Sequence, residues 1–551
     1  MCGIVGIIGF KASDKVGLIE KSLELLKHRG PDEHGVAMSN NWIMGHTRLS
    51  IVDLITGQQP LKISSITLVF NGEIYNYKKL REILQGLGYN FLTESDTEVI
   101  LVSYLHWGES CVSLLEGMFA FALIDESKNK FLIARDKVGQ KPLVILKKAN
   151  LLYFSSEISS LGFRSNYLEG KVLGEYYEQG FVTSMSSLYD GYLGCDPGTY
   201  VVGDLINFSH KSTKYWCPVD IFINKKKTKY NLRSCIRNAI VSHTNADVDI
   251  GLLLSGGLDS GIIASDLAKI NTKFTSITIG AEYNSEVVKA KKLLRRVKFK
   301  YNHLVIEPKT FESVNLTLDK IVNSANSPFS DIATLFSFLI SRSVSNLGIK
   351  VALTGDGADE VFMGYSRYTV LFWAYQLRGI KYLLKHFIFL KSIRLLLSVI
   401  DNPEIHIFGS NGFNRDLITN KEYEYPEIMN LKTDWAKKAQ LFDIKYRLPY
   451  YYLQKVDISS SLNSVEYRAP YLDEKLVEIG ITTPTSQLIP FGISKFKLKL
   501  IARSFQFRKR GFDADFPESL KNELGNVLSI KGIHNKTIQQ LWNLVILKKW
   551  H

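Results

Sequence analysis

Cysteine is scarce in this sequence, and its spacing argues against two kinds of stabilising site. Five cysteines occur among 551 residues, at positions 2, 111, 195, 217 and 235. No two of them form a CxxC pair, so a structural zinc site is not expected. An odd number of scattered cysteines is also atypical of a disulfide framework. We therefore predict reduced thiols and a cytoplasmic protein.

A long uncharged apolar run is missing as well. The N-terminal residues MCGIVGIIGF are apolar but have no basic residues before them, so we expect no secretory signal. The stretch from Ile380 to Ile400 is apolar but is interrupted by Lys381, Lys385, Lys391 and Arg394. These charges argue against a transmembrane span. We expect an amphipathic helix there that packs against its own domain.

A nucleic-acid-binding signature is also lacking. The formal net charge is +14, but it is spread along the chain, with only short basic clusters at residues 225–227 and 508–510. This distribution indicates a solvated basic surface and no nucleic-acid partner. The length of 551 residues and the hydrophobic content of 45% predict two or more folded domains.

The pattern of apolar segments changes near residue 215. Before that point, short strand-like runs alternate with turns and a few helical segments, which predicts an α+β or layered α/β domain over residues 1–215. Residues 216–230 are polar and lysine-containing, as is typical of a linker. Residues 231–515 are mostly helical but contain two strand–turn–helix units, which predicts an α/β domain with a parallel sheet. Residues 516–551 form a C-terminal tail to which we assign no role.

Cys2 would combine two reactive groups once Met1 is removed. Its thiol would lie beside a free α-amine with a pKa of about 7.7–8.0, which can act as a base near neutral pH. Such an amine is one of the groups that activate a weak nucleophile. Up to residue 165, the segment MCGIVG is followed by KHRGPDEHG, GHTRLSIVD, FNGEIYNY, TESDTEVIL, GMFAFALID and RDKVGQKPL.

In this order the motifs resemble those of the class II glutamine amidotransferases, which are N-terminal-nucleophile hydrolases with four layers, αββα. The resemblance implies that Cys2 attacks the side-chain amide of glutamine and that Asn71 and Gly72 form the oxyanion hole. It also implies a pocket for the rest of glutamine. The α-carboxylate would bind Arg48, whose guanidinium suits it geometrically, and the α-ammonium would bind Glu73 and Asp96. The backbone of the same pocket would come from Leu49, Ser50, Ile51 and Val52.

A second motif, SGGLDS, follows an apolar strand and begins a helix. Glycines allow the backbone to approach a phosphate, and the N-terminus of a helix offers unpaired N–H groups to it. The motif lacks the GK[ST] ending of a Walker A loop. It is similar to the pyrophosphate loop of ATP pyrophosphatases, which split ATP into AMP and pyrophosphate.

From about residue 230 to 515, further motifs resemble the synthetase domain of glutamine-hydrolysing asparagine synthetases. They are SITIG, ALTGDGADEVFMGY, LQKVDISSSLNSVEYRAPYLDEKLVE, SKFKLK and RKRGF. The resemblance implies that Lys495 neutralises charge at the reaction centre and that Asp259 and Asp359 bind Mg²⁺ together with pyrophosphate. The residues implied to bind ATP are Leu253, Ser255, Gly256, Gly257, Asp259, Ser260, Ile279, Thr354 and Gly355.

Asp356 departs from the pattern of the family, because many asparagine synthetases have glutamate at this position. The shorter side chain moves the catalytic carboxylate by more than about 1 Å, and catalysis is sensitive to such a shift. This departure leaves the identity of the acceptor open.

The first hypothesis is ATP-driven conversion of aspartate to asparagine through an acyl-adenylate, with AMP, pyrophosphate and glutamate as the other products. The second is amidation of another carboxylate, such as a uronic acid in surface-polysaccharide assembly. The third is a non-catalytic regulatory relative.

The expected partners are glutamine, ATP and the acceptor carboxylate, and homodimers are common among proteins of this kind. Ammonia released at Cys2 would have to reach the acyl-adenylate without meeting bulk water, because ammonium is not a nucleophile. The resemblance therefore implies a passage between the two domains.

Replacing Cys2 separates the enzyme hypotheses from the regulatory one. We expect the Cys2→Ala variant to lose glutamine hydrolysis, measured as glutamate release, because the nucleophile is gone. Unchanged glutamine turnover in this variant would support the non-catalytic relative.

Overall fold

A computed structural model gives the fold of most of the chain. It describes residues 1–165, 168–183, 185–224, 230–270, 272–280, 285–297, 302–307, 313–409, 425–502 and 538–550, together with Leu520, Leu524 and Val527. The basic clusters at 225–227 and 508–510 and the motif RKRGF lie outside these residues.

Eleven strands of the N-terminal half form two antiparallel sheets. They are β1 Gly3–Ile8, β2 Glu33–Ser39, β3 Trp42–Arg48, β4 Leu61–Ile63, β5 Ile66–Ile74, β6 Gly117–Asp125, β7 Lys130–Arg135, β8 Val144–Lys148, β9 Leu151–Ser155, β10 Thr199–Asp204 and β11 His210–Lys214. One sheet has the order β2-β3-β1-β9-β8, and the other has the order β11-β10-β7-β6-β5-β4.

The two sheets face each other across a shared apolar core. Ile4 and Met44 of the first sheet pack in one cluster with Val69, Ala122 and Ile133 of the second. The outer faces are covered by helices, because α1 packs against β1 and β3, and α3 packs against β5. The helices of this half are α1 Val16–Leu26, α2 Tyr77–Gly86, α3 Asp96–Trp107, α4 Gly170–Gln179 and α5 Met185–Leu188. The predicted αββα layering is confirmed.

The C-terminal half contains a parallel sheet with the order β14-β13-β12-β15-β16. Its strands are β12 Ile250–Leu253, β13 Thr275–Ile279, β14 His303–Ile306, β15 Val351–Leu353 and β16 Glu466–Arg468. The carboxyl ends of neighbouring parallel strands meet at one edge, which is where open α/β sheets bind ligands. The motifs SGGLDS and TGDGADE follow β12 and β15, so they lie side by side at this edge. The predicted α/β class is confirmed.

Helices surround this sheet. They are α6 Pro218–Ile223, α7 Leu232–His243, α8 Leu258–Lys269, α9 Ser285–Arg296, α10 Val314–Ser324, α11 Ala333–Ser345, α12 Ala358–Val361, α13 Ser366–Leu377, α14 Lys381–Leu384, α15 Lys391–Asp401, α16 Pro403–Phe408, α17 Pro426–Met429, α18 Trp435–Phe442, α19 Leu453–Ser461, α20 Glu474–Thr482, α21 Thr485–Leu488, α22 Phe496–Ile501 and α23 Ile538–Trp550. A π-helix, Asp443–Tyr452, joins α18 to α19. Helix α23 lies in the predicted tail, yet its Trp542 and Val545 are fully buried in the main core.

The stretch from Ile380 to Ile400 differs from its sequence prediction. It forms the short helix α14 and most of α15, separated by an exposed segment, instead of one helix packed against its domain. Among the described residues, no helix is long and apolar enough to cross a membrane.

Arg29 ties the two halves together through buried ion pairs. The side chain is fully buried, and its guanidinium lies 2.9 Å from both carboxylate oxygens of Asp457 and 2.7 Å from Glu157. Its Nε also donates to the carbonyl oxygen of Cys2 at 3.1 Å. Although burial disfavours the charge, Asp457 and Glu157 raise the pKa of Arg29 above its ordinary value. Helix α19, which carries Asp457, is thereby fixed against the N-terminal strand β1.

We expect the Arg29→Leu variant to be destabilised by about 3–5 kcal/mol, because it leaves two buried carboxylates without their partner. Scanning calorimetry would show this as a lower unfolding temperature. The matched control is Lys27→Leu, which breaks an exposed pair with Glu24 and should cost only about 0–1 kcal/mol. Equal unfolding temperatures for both variants would contradict a stabilising role for the Arg29 pairs.

Candidate functional site

Cys2 lies directly before strand β1 and is half-buried, at a place where the two halves meet. Its backbone N–H donates to Asn71 Oδ1 at 2.9 Å. Burial raises the pKa of the Cys2 thiol, and the positively charged chain terminus beside it lowers that pKa in part. Burial also lowers the pKa of the Met1 amine to about 6. The positive charge of the Met1 amine is therefore lost as the pH rises through about 6.

Asn71 and Gly72 lie in strand β5, which ends at Ile74, and the Asn71 side chain contacts the backbone of Cys2. The Nδ2 group of Asn71 is buried and has no hydrogen-bond partner within the described part of the chain. Gly72 has a φ of 151°, and a Cβ atom there would lie 2.0 Å from the carbonyl oxygen of Met118. Only glycine fits this backbone position. An unpaired amide donor beside a thiol is the arrangement that an oxyanion hole needs.

One pocket brings together most of the residues predicted to bind glutamine. Its lining includes Cys2, Arg48, Leu49, Ile51, Val52, Gly72, Glu73 and Asp96. The other two predicted residues, Ser50 and Asn71, are adjacent in the chain to lining residues but do not line the pocket. The N–H of Ser50 donates to Asp32 Oδ2 at 2.7 Å, which fixes the backbone turn after β3.

Arg48 already has partners in this structure. Its Nη1 lies 2.9 Å from Glu33 Oε2, and its Nη2 donates to the carbonyl oxygens of Val52 at 3.3 Å and Asp53 at 2.5 Å. The guanidinium is thus held at the wall of the pocket in a fixed orientation.

Glu73 and Asp96 place two buried carboxylates at the same pocket. Asp96 begins helix α3 and accepts from the N–H of Ile74 at 2.9 Å. Glu73 Oε2 lies 2.7 Å from Arg468 Nη2, while its Oε1 has no hydrogen-bond partner among the residues described. Burial raises the pKa of Asp96 to about 6 and that of Glu73 well above its ordinary value. A positive charge nearby favours the ionised form of a buried carboxyl group, so these two carboxylates are suited to bind a cation.

Two residues of this site come from the C-terminal half and were missed by the sequence interpretation. Glu466 lines the pocket, and Arg468 lies between it and Glu73. Although burial opposes ionisation, Lys141, the chain terminus and Arg468 lower the pKa of Glu466 to about 2. The signal was present in the motif SVEYRAP, where two opposite charges lie two residues apart on a buried strand.

The second group of predicted residues lies at the carboxyl edge of the parallel sheet. Lys495 is 3% exposed, and its ammonium lies 2.7 Å from Asp259 Oδ2 and 2.7 Å from Asp359 Oδ1. A Cβ at Gly355 would lie 3.2 Å from the Cβ of Asp259, so the two loops touch. A Cβ at Gly364 would lie 1.8 Å from Asp359 Oδ1, which explains the glycine in the sequence VFMGY.

The remaining residues that were predicted to bind ATP lie along the same edge of the sheet. Leu253 and Ile279 end the neighbouring strands β12 and β13 and are half-buried. The hydroxyl of Ser255 lies 3.2 Å from that of Ser260 and accepts from the N–H of Gly257 at 3.3 Å. Gly256 has a φ of 68°. Thr354 follows β15, and its hydroxyl has no partner in the described part of the chain.

Asp356 lies in a charged environment beyond this edge. Burial lowers the pKa of Lys455. The negative charges of Asp331 and, to a smaller extent, Asp356 outweigh burial and raise that pKa above its ordinary value. Lys455 Nζ lies 2.9 Å from Asp331 Oδ2. Burial raises the pKa of nearby Glu360 to about 7, and its Oε1 accepts from the Tyr365 hydroxyl at 2.5 Å. Within the described residues, no group of three or more His, Cys, Asp or Glu side chains could hold a metal ion.

Comparison with known proteins identifies a family for each of the two parts of the chain. The family model for the glutamine amidotransferase domain matches residues 1–216, and the model for asparagine synthase matches residues 231–543. Asparagine synthetase [glutamine-hydrolyzing] 1 of Bacillus subtilis is 28% identical over 100% of this chain and 96% of its own length. Asparagine synthetase B [glutamine-hydrolyzing] of Escherichia coli is 33% identical over 66% of this chain and 65% of its own length. The chain therefore belongs to the asparagine synthase family and is a glutamine-dependent ligase with an amidotransferase domain.

Proposed function

We propose that this ligase amidates aspartate to asparagine, with ATP as the energy source and glutamine as the nitrogen source. The observation that carries the choice of acceptor is the ion pair between Asp331 and Lys455 beside Asp356. An amino-acid acceptor has an α-ammonium and an α-carboxylate, and this pair supplies a partner of opposite charge for each. A uronic acid has no ammonium group and would leave Asp331 without a ligand partner.

In the N-terminal pocket, Cys2 attacks the amide carbon of glutamine after removal of Met1. The α-amine accepts the thiol proton and returns it to the leaving nitrogen, so that ammonia departs and a thioester remains, which water hydrolyses to glutamate. The Asn71 Nδ2 group and the N–H of Gly72 donate to the oxyanion. Each such donor contributes on the order of a hundredfold in rate. Glu73 and Asp96 hold the α-ammonium of glutamine, and Arg48 holds its α-carboxylate.

At the sheet edge, ATP activates the acceptor. A free carboxylate is a poor electrophile, and adenylation gives it AMP as a leaving group. The SGGLDS loop at the start of α8 binds the pyrophosphate portion through backbone N–H groups. Leu253 and Ile279 contact the adenosine, while Thr354 and Gly355 lie against AMP. Lys495 neutralises the charge that develops on the phosphate.

Asp259 and Asp359 fit the chemistry of a Mg²⁺ site that is completed by pyrophosphate. Both carboxylates already face one cation, the ammonium of Lys495. Mg²⁺ takes one or two carboxylates and completes its coordination with phosphate oxygens and water. The ion would supply additional charge neutralisation for the leaving pyrophosphate.

Amidation of another carboxylate, such as a uronic acid, remains the second candidate because of Asp356. We expect aspartate to drive exchange between ATP and labelled pyrophosphate, because the adenylate forms reversibly. Absence of this exchange in enzyme with glutaminase activity would exclude aspartate, and exchange driven by galacturonate instead would support the second candidate.

The Lys455→Met variant tests the acceptor site itself. We expect its KM for aspartate to rise at least about tenfold, because a charged hydrogen bond is lost, while its KM for glutamine stays unchanged. The control is Lys445→Met, which removes an ion pair with Glu427 at 2.8 Å on the neighbouring π-helix. An unchanged KM for aspartate in Lys455→Met would contradict the assignment.

The pKa of Asp96 predicts a pH dependence for glutamine hydrolysis. The ionised carboxylate, which the α-ammonium of glutamine needs, is present above pH 6 and is lost as the pH falls through about 6. We therefore expect kcat/KM for glutamine to decrease below that pH, measured between about pH 5 and 8. Asp96→Asn should lower kcat/KM across the range and move this inflection, because only Glu73 would then titrate against the α-ammonium. Glu94→Gln, which changes an 89% exposed carboxylate nearby, should behave like the wild type.

A further inference from the structure

Many exposed apolar side chains lie close together in sequence between helices α13 and α15. All eight residues from Lys385 to Ser392 are exposed. Phe387 is 52% exposed, Ile388 53%, Phe389 69% and Leu390 45%. Just before them, Tyr382 is 78% and Leu383 64% exposed. Single exposed apolar side chains are normal, but a contiguous group of them marks an interaction site. Residues 378–395 are referred to below as the α13–α15 surface.

The segment is anchored at both ends. Helix α13 buries Tyr368, Leu371 and Ala374, and α15 buries Leu397 and Val399. Between them, α14 and the helical turns on either side of it contain no buried residue. The backbone is therefore held by the fold while its apolar side chains remain in contact with solvent.

Basic residues are interleaved with the apolar ones. From Arg378 to Ile400 the sequence contains no aspartate or glutamate. Its cationic residues are Arg378, Lys381, Lys385, Lys391 and Arg394. Lys381 pairs with Asp401 at the end of α15, and Lys385 lies 5.4 Å from the ring centre of Tyr382. The surface thus combines a strong apolar character with an excess of positive charge.

A second copy of the chain does not fit this surface. A symmetric contact would bring lysines against lysines, with no carboxylate in the surface to compensate them. Lysine is also depleted in the interfaces between proteins. An anionic lipid surface satisfies both properties at once. Apolar side chains enter the boundary between headgroups and acyl chains, while lysines and arginines contact the anionic headgroups.

We propose that the α13–α15 surface binds the enzyme peripherally to membranes that contain anionic lipids. Phe387, Ile388 and Phe389 would enter the boundary between headgroups and acyl chains. Tyr382 would lie at the headgroup level, where its ring can contact lipid and its hydroxyl can contact polar groups. Lys385, Lys391 and Arg394 would contact phosphate groups. This binding is independent of which carboxylate the enzyme amidates.

Flotation with vesicles tests the proposal on the full chain. The vesicles are either equal parts phosphatidylcholine and phosphatidylglycerol, or phosphatidylcholine alone. We expect the wild type to float with the anionic vesicles, and to do so less at high salt. The double variant Phe387→Glu/Phe389→Glu should bind about a hundredfold more weakly, because it loses two aromatic insertions and gains negative charge. Lys385→Gln/Lys391→Gln should lose about fivefold per charge, and only on anionic vesicles.

The matched control is Ile206→Glu/Leu316→Glu, which changes two apolar residues that are 68% and 64% exposed on other parts of the molecule. It should bind vesicles like the wild type, and all variants should keep wild-type glutaminase activity, which verifies folding. The proposal is overturned if the wild type does not float, or if the phenylalanine variant floats equally well. It is also overturned if light scattering shows a wild-type oligomer that the phenylalanine variant dissociates while vesicle binding is absent. That result would assign the surface to self-association.

Discussion

The buried junction around Arg468 is the interaction on which both halves of the protein depend. The guanidinium is fully buried and joins Glu73 of the glutamine pocket to Glu466 on its own strand. Both carboxylates would be costly to bury alone, and breaking such a network by removing one member leaves a buried charge without compensation. The amidotransferase pocket is therefore complete only when the parallel sheet of the other half is packed against it.

The same short strand also reaches the second site. In the parallel pairing of β15 with β16, Leu353 lies opposite Arg468, and the N–H of Thr354 donates to the carbonyl oxygen of Arg468 at 2.9 Å. The backbone of Arg468 thus positions the loop that carries Asp356, while its side chain positions Glu73. One residue is in direct contact with the framework of both pockets. A displacement of β16 would be transmitted to both, because packed interiors do not deform locally without cost.

Burial and neighbouring charge act in opposite directions on the three carboxylates of the pocket beside Cys2. Burial raises the pKa of Glu73 and of Asp96, since neither has enough positive charge nearby to offset the loss of water. Glu466 lies between three cations, and its pKa is lowered although burial opposes this. Glu73 and Asp96 can therefore accept a cationic ligand. Glu466 is already paired with cations, and these pairs hold the two halves together.

The sequence by itself determined the motifs, because these are local: a cysteine next to the N-terminal residue, FNGE among short strand-like runs, and glycine-rich turns after two apolar strands. It also predicted both fold classes, since strand and helix periodicity are properties of short segments. Only the tertiary structure decided that Glu466 and Arg468 lie at the pocket beside Cys2, and that Phe387 and its neighbours face solvent. Both facts depend on contacts, or on missing contacts, between residues far apart in the chain. The amphipathic pattern of residues 380–400 specifies that one face is apolar, but only the packing of α13 and α15 decides whether that face is covered.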